Sequence, residues 1–313
     1  MTVPLRWSAV VPLWNEAESL RELHAELTRA LDSAGGPWEV LYIDDGSRDG
    51  SDRVIAELAA ADPRVGGVSF RRNFGKSAAL ATGFRLARGE CVLTLDADLQ
   101  DDPAELPRLI AALEGGYDLV SGWKQDRQDP ITKTLPSRLF NAVTAMVAGI
   151  RLHDFNCGFK LYRRDVCDSI EVYGELHRFM PALAHWRGFR VTEVPVRHRR
   201  RRFGRSKFGA SRFINGFLDL MAAAFISTSA LKPLHVFGRI GMLFMGIAGV
   251  IGLYFVVLFA QGDPVRVRPL MVAGAGLGLV GVQLILMGLL GEMIAALAAR
   301  ADYPVRRRYN LPE

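Results

Sequence analysis

Two stretches in the C-terminal part of the chain carry no charge: Ile240 to Ala260, 21 residues, and Leu270 to Gly291, 22 residues. Each is long enough to cross the hydrocarbon core of a bilayer as a helix. Buried core helices have a similar composition, but two such runs joined by nine residues fit a membrane hairpin better. Charge orients the pair. Eight Lys or Arg residues fall between Arg197 and Arg212, and Arg300, Arg306, Arg307 and Arg308 follow the second run, whereas the connecting loop has only Arg266 and Arg268. Basic flanks stay on the cytoplasmic side, so both termini are expected there, in a multi-pass protein of the inner membrane. Met1 to Arg6 lead directly into strand-like sequence, and no signal peptide is read in them.

The 200 or so residues before that hairpin alternate between two kinds of pattern. Ala9 to Leu13, Trp38 to Ile43, Val65 to Phe70 and Cys91 to Leu95 are short apolar runs rich in β-formers, as buried strands require. Between them, Leu20, Leu23, Leu27 and Leu31 recur at helical spacing, a helix is expected from about Ser51 to Ala61, and another starts near Lys76. Asn15 with Glu18 three residues on reads as a capping box for the first helix. The alternation predicts an α/β fold with a mostly parallel sheet and helices on both faces. Three of the strands end in polar residues at one edge of that sheet, where open α/β sheets bind their ligands.

The densest of these ends is Asp96-Ala97-Asp98-Leu99-Gln100, followed by Asp101, Asp102 and Pro103. Pro103 suits the first turn of a helix through Leu106, Leu109, Ile110 and Leu113. In extended geometry Asp96 and Asp98 share a face, and two carboxylates on one face call for a cation between them. A hard divalent ion shared with a diphosphate satisfies that need. A solvated acidic turn at a helix N-terminus has the same letters.

Several classes are excluded. Leu13-Trp14-Asn15-Glu16 follows the first strand where a dinucleotide fold needs a glycine-rich turn, and Gly75-Lys76-Ser77 lacks the first glycine of a P-loop, Phe70 standing there. The net charge of +6 is concentrated beside the apolar runs, which favours an anionic membrane, and no nucleic-acid-binding signature accompanies it. Cys91, Cys157 and Cys167 have no metal-type spacing and are expected to be reduced thiols. Phe208, Phe213, Ile214, Phe217, Leu218, Leu220, Met221 and Phe225 give a helix with a broad apolar side, broken by Arg212 and Asp219. It reads as an interfacial helix on the inner leaflet.

Taken in order, Val11-Pro12-Leu13-Trp14-Asn15-Glu16, Asp44-Asp45-Gly46-Ser47, Asn73-Phe74-Gly75-Lys76, Asp96 to Asp101, Asp154-Phe155-Asn156-Cys157-Gly158-Phe159-Lys160 and Arg202-Phe203-Gly204-Arg205-Ser206-Lys207 resemble the family 2 glycosyltransferases of the GT-A fold. The likeness is strongest to the polyprenyl-phosphate sugar synthases, which also carry membrane helices after the catalytic domain. Each motif alone is weak; the ordered set over roughly 200 residues is specific.

The resemblance implies that Pro12, Trp14, Glu16 and Asp44 or Asp45 line a nucleotide pocket, with Lys76 near the donor. Asp96, Asp98 and Gln100 would hold Mg²⁺ or Mn²⁺, with Asp98 and Asp154 as the catalytic carboxylates. Arg127, Lys133 and Arg138, with Arg202, Ser206 and Lys207, would receive the acceptor phosphate. The rest of the Arg199 to Arg202 run is expected to anchor on lipid headgroups. His177, in a stretch that matches the lipid-phosphate subgroup, reads more simply as a structural helix residue. The partners implied are a nucleotide-sugar donor, with UDP-hexose favoured over GDP-mannose, and a polyprenyl phosphate; a homo-oligomer is left open. The expected division is a catalytic domain over 1–207, the interfacial segment over 208–235 and the membrane pair over 236–313. A processive polysaccharide synthase would carry a Gln-x-x-Arg-Trp motif and more spans, and the chain has only His185-Trp186-Arg187. A lipid-sugar transporter would need charge inside the spans, where only Glu292 stands, near the end of the second, and a non-catalytic scaffold would be expected to lose Asp96 or Asp98, both of which are present.

Overall fold

A computed structural model describes residues 5–125, 141–199, 233–262 and 267–298, with backbone alone over 295–298. Arg127, Lys133, Arg138, Arg202, Ser206, Lys207 and the expected interfacial helix therefore lie outside the described residues. The chain divides into two compact units, one holding the described residues 5–199 and the other 233–298.

The first unit is built on a seven-stranded sheet. Its strands are β1 (Trp7–Leu13), β2 (Trp38–Asp44), β3 (Val65–Ser69), β4 (Cys91–Thr94), β5 (Leu119–Lys124), β6 (Lys160–Arg163) and β7 (Val191–Val196), in the order β3-β2-β1-β4-β6-β5-β7. β1 pairs in parallel with β2 and β4, β2 with β3 and β5 with β7. β6 alone runs the other way, antiparallel to β4 and to β5. The mostly parallel sheet is as the alternation predicts; the reversed strand is not visible in the apolar pattern.

Both faces of the sheet are covered, and β1 shows how. Ala9 and Val11 point into a cluster with Leu20, Leu23, Leu27 and Leu31 of α1 (Ala17–Ala34) and Leu106, Leu109 and Leu113 around α4 (Leu106–Glu114). Val10, between them, points into a second cluster with Ala79, Leu80 and Phe84 of α3 (Lys76–Leu86). Alternate side chains of one strand thus feed two cores, which is why the strands read as unbroken apolar runs. α2 (Ser51–Ala61) covers the outer face beside α1.

The predicted capping box is absent. α1 begins after Glu16 with no side-chain cap. Asn15 adopts a left-handed φ of 55°, and its Oδ1 accepts the Arg48 N–H at 2.8 Å while its own N–H donates to Ser47 Oγ at 2.8 Å. Asp49 accepts from the Ala17 N–H instead. The first turn of α1 is thereby satisfied from the loop after β2, and the ends of β1 and β2 are locked together.

In the second unit, two apolar helices span Pro233–Ala260 and Pro269–Ala298. Both are long and apolar enough to cross a membrane. They pack on each other closely: a Cβ on Gly241 would stand 2.7 Å from the Gly281 carbonyl oxygen, so the backbones touch where small residues permit. Glu292 accepts the Leu234 N–H at 3.3 Å, satisfying a donor in the first turn of the partner helix.

Beneath the sheet's other end, buried Glu39 accepts from Ser8 Oγ at 2.7 Å and from the Arg88 N–H at 2.8 Å, and its second oxygen accepts from Arg88 Nε at 2.9 Å. Glu39→Leu removes the acceptor of Ser8 Oγ and of Arg88 Nε and leaves the Arg88 N–H only Ser8 Oγ at 3.2 Å. It should cost about 2 kcal/mol and lower the melting temperature of the detergent-solubilised protein by about 5 °C, with Glu39→Gln falling less.

Candidate active site

Because β1, β2 and β4 are parallel, their C-terminal ends meet at one edge of the sheet. Because β6 is reversed, its beginning comes to the same edge, with Lys160 opposite Thr94. Five stretches distant in sequence therefore converge: the residues after β1, after β2, before α3, after β4 and before β6.

The loop after β4 is not extended. The strand ends at Thr94 and the chain turns at Ala97 and Asp98, with Leu99 at a left-handed φ of 59°. The expectation that Asp96 and Asp98 share a strand face is corrected: a turn, not a pleat, sets their relation. Asp98 Oδ1 accepts the Gln100 N–H at 3.2 Å, and the Ala97 carbonyl accepts from Ser19 Oγ of α1 at 2.6 Å. Asp96 pairs with Lys76 of α3. Burial works against ionisation of Asp96, but the charges of Lys76, Lys124 and Lys160 outweigh it and hold its pKa at about 2.

Lys160 is buried at the start of β6 and donates to the Cys157 carbonyl. Burial, with the charge of Lys76, holds it below the ordinary lysine range, against the pull of Asp154 and Asp96. Lys124 pairs with buried Asp101 at 2.8 Å. Burial opposes its charge, but Asp101 prevails and its pKa is raised. Cys157 lies in the same neighbourhood, and burial pushes its thiol up to about 12. It is a free, protonated thiol, as are Cys91 and Cys167.

The residues assigned to a nucleotide pocket fall into two kinds. Trp14 is 38% exposed just beyond β1, so it stands outside the core at this edge. Pro12 lines a small cavity with Lys76, Asp96, Asn156, Gly158, Lys160 and His177. Asp44 and Asp45, in contrast, are buried and work within the fold. Asp44 Oδ1 accepts the Ser47 N–H at 2.9 Å, a side-chain turn. Asp45 accepts the N–H groups of Phe74 and Gly75 at 2.7 and 2.9 Å, which pins the approach to α3 and so places Lys76. Burial raises the Asp45 pKa, partly offset by those two donors. Gly46, at φ 73°, lies so close to Arg72 that a Cβ would meet its backbone at 2.5 Å.

Asp154 is buried and caps its own loop, Oδ1 accepting the Asn156 N–H at 3.0 Å. Glu193 of β7 holds the loop from the other side, accepting from the His153 N–H at 2.8 Å and the Asp154 N–H at 3.2 Å. His153 also stacks on Trp123, with ring centroids 4.1 Å apart. His177 belongs to a short 3-10 turn, Leu176–Arg178, where its Nδ1 and Ser77 Oγ share a hydrogen bond of 2.9 Å. Burial lowers its pKa well below the histidine norm, and Lys76 adds to the effect. It is neutral at pH 7 and faces the cavity, closer to the site than the helix-residue reading allowed.

Sequence reasoning gave no role to Lys160, Lys124 or Glu193. Lys160 sat inside a quoted motif without an assignment, whereas Glu193 had no signal at all. Its partners lie 39 and 40 residues away.

An α/β sheet whose parallel strand ends gather carboxylates and lysines beside a small cavity is the architecture of a GT-A fold. The chain belongs to glycosyl transferase family 2, whose profile matches residues 8–171. It is 36% identical to a dodecaprenyl-phosphate galacturonate synthase of Rhizobium johnstonii, across 98% of this chain and 94% of that one. To an undecaprenyl-phosphate 4-deoxy-4-formamido-L-arabinose transferase of Klebsiella pneumoniae it is 37% identical, with the same coverage. Among solved structures, glucosyl-3-phosphoglycerate synthase of Mycobacterium tuberculosis, in complex with Mn²⁺, UDP-glucose and phosphoglyceric acid, shares the fold with a TM-score of 0.56. There the identity is 19%, over 73% of this chain and 82% of that one.

Gly158 packs directly against the acidic loop. A Cβ there would stand 2.7 to 2.8 Å from the Asp96 carboxylate, and Thr94 Oγ1 holds the Gly158 carbonyl at 2.8 Å. Gly158→Ala must push Asp96 aside, and should lower transferase activity by about 10- to 100-fold with little change in melting temperature. Glu193→Gln removes the charge that holds the Asp154 loop. It should lower kcat by about tenfold with donor KM unchanged, the pattern of a group that matters only in the transition state.

Proposed function

We propose that this chain moves one sugar from a nucleotide-diphosphate donor onto a polyprenyl phosphate, giving a polyprenyl-phospho-sugar with inversion at the anomeric carbon. UDP-hexose is the favoured donor, with GDP-mannose the alternative. The observation that carries the reading is the charge-balanced edge around Asp96, Asp98, Lys76 and Lys160, in a chain that matches polyprenyl-phosphate sugar transferases along 98% of its length. The proposed division is a catalytic domain over 1–207, an interfacial segment over 208–235 and a membrane pair over 236–313. The enzyme is placed in the inner membrane with the catalytic domain and both termini in the cytoplasm, its basic flank facing anionic lipid.

The donor set fits a hard cation. Asp96 and Asp98 supply carboxylate oxygens and Gln100 an amide, and Gln100 Oε1 makes no hydrogen bond among the described residues. Among the described residues no group of three or more His, Cys, Asp or Glu side chains gathers around one point. The protein therefore supplies part of a coordination shell and leaves the rest to diphosphate oxygens and water, as Mg²⁺ and Mn²⁺ accept. Bound there, the ion would neutralise the leaving diphosphate as a Lewis acid.

The chain's own residues do the remainder. Trp14 offers a face for the base, with Pro12 and Glu16 beside it, while Asp44 and Asp45 shape the pocket through the turns they hold. Lys76 is positioned to meet phosphate charge once Asp96 engages a cation. The acceptor, a phosphate monoester with a second pKa of about 6, is largely dianionic at pH 7 and needs no base to become a nucleophile. Asp154 then orients the acceptor or steadies positive charge at the sugar carbon. Like-charge repulsion between acceptor and donor must be offset by cations, the role proposed for Arg127, Lys133, Arg138, Arg202, Ser206 and Lys207.

The test is direct. Purified protein with Mn²⁺ or Mg²⁺, a panel of nucleotide sugars and a short polyprenyl phosphate should yield one lipid product heavier than the acceptor by a single sugar, identified by mass spectrometry. Asp98→Ala should reduce the transfer by at least about 100-fold while membrane insertion stays intact. Undiminished transfer in that variant would remove the metal reading.

A further inference from the structure

The proposed transfer gives His177 no part, although its side chain lines the small cavity beside Asp96. Packing fixes its position. Leu176 and Phe179, on either side of it, are buried in the core cluster that holds Leu80 and Phe84 of α3, and the Phe179 N–H donates to the Leu176 carbonyl at 2.9 Å. The short turn is thereby held against the first turn of α3, where Ser77 is buried.

Ser77 decides which ring nitrogen is left for other work. Its Oγ accepts the backbone N–H of His177 at 3.2 Å and lies 2.9 Å from His177 Nδ1. With one N–H already accepted, the hydroxyl is set to donate its own proton to Nδ1. The hydrogen-bond network therefore assigns the proton of the neutral ring to Nε2. Burial, with the charges of Lys76 and Arg178, keeps the ring neutral. Nε2–H remains a donor with no acceptor among the described residues. An enclosed donor without an acceptor is costly to the fold, and an oxygen brought by a ligand removes that cost.

The cavity selects the kind of oxygen. Its volume of about 10 Å³ is the room of about one water, enough for a hydroxyl and too little for a tetrahedral phosphate. Its wall is mixed: Asp96 and Asn156 carry acceptor oxygens, while Lys76 and Lys160 carry donors. A hydroxyl gives one hydrogen bond and accepts two, which suits such a lining; a phosphate, acceptor throughout, would face the Asp96 carboxylate. We propose that His177 is a specificity-determining residue whose Nε2–H donates to one hydroxyl of the sugar carried by the donor nucleotide. Ser77 is then the positioning residue that fixes the tautomer. The inference rests on the proposed function for the presence of a sugar nucleotide at this edge.

Isothermal titration of the full-length protein in detergent with Mn²⁺ reads it out. UDP is compared with UDP-glucose, and GDP with GDP-mannose, and the tighter-binding pair is carried forward to the variants. His177→Phe keeps a flat ring without an N–H. It should weaken the sugar nucleotide about tenfold and the bare nucleoside diphosphate by less than about twofold. His177→Gln, whose amide donates from the position of Nε2, should recover most of the loss. Ser77→Ala should weaken the sugar nucleotide alone, by about threefold, because the ring loses the group that orients it. Equal weakening of both ligands in His177→Phe marks a structural residue or a phosphate contact and overturns the proposal, as does unchanged binding of both. If His177→Phe does not fold, Ser77→Ala decides, and an unchanged ratio of the two affinities there overturns it. Binding needs no acceptor, so a failure to transfer sugar to polyprenyl phosphate removes the proposed function while this comparison still tests His177. Binding of neither pair to the unaltered protein removes both.

Discussion

Carboxylates crowd one edge of this sheet, and their mutual repulsion is the constraint that the surrounding structure answers. Asp96, Asp98, Asp101, Asp102 and Asp154 all lie beside the ends of β4 and β6. Buried like charges are sustained only when cations or hydrogen-bond donors are built in with them. Here the cations come from separate places: Lys76 from the start of α3, Lys124 from the end of β5, Lys160 from the start of β6 and Arg199 from beyond β7. None is a sequence neighbour of the acid it serves. The fold is what delivers them, and the site's electrostatics and its topology are therefore one problem.

The reversed strand is the topological part of the answer. A parallel β6 would carry Lys160 and Gly158 to the opposite edge; running antiparallel, it brings both beside Thr94 and Asp96. The same reversal places the Asp154 turn at this edge, where Glu193 of β7 holds it. Gly158 gives up a side chain to allow the closeness. No other residue leaves room for the Asp96 carboxylate at that distance, so the acidic loop and the β6 approach are fitted to each other at the level of single atoms.

Much of this architecture is legible in the amino-acid order. Apolar runs without alternation signal strands covered on both faces, and Val10 and Val11 pointing into different cores shows why. Polar residues at the ends of three such runs mark one edge of the sheet, because the parallel connection puts those ends together. What the letters hide is of two kinds. Local turn chemistry overrides simple readings at Asn15, which serves the neighbouring loop and not its own helix, and at Asp98, which lies in a turn and not on a strand face. Long-range pairing is the other. Glu193, Glu26 and Lys124 look like ordinary surface charges in sequence, and only the packing of distant elements gives them their partners.

Arg199 shows how far composition can mislead about a charge run. Four consecutive arginines beside a membrane segment invite one explanation, electrostatic attraction to anionic lipid. That attraction is additive and tolerant of geometry, so it predicts interchangeable residues. A guanidinium held by Glu26 and Asp102 at 2.7 to 2.9 Å is not interchangeable with its neighbours, since its contribution depends on direction and shielding from water. The run therefore divides at its first residue, which is joined to the acidic loop. An edge rich in negative charge gains from a counter-charge that arrives from beyond β7. That cation neutralises the loop and, through the same side chain, ties the end of the β7 segment to it and to α1.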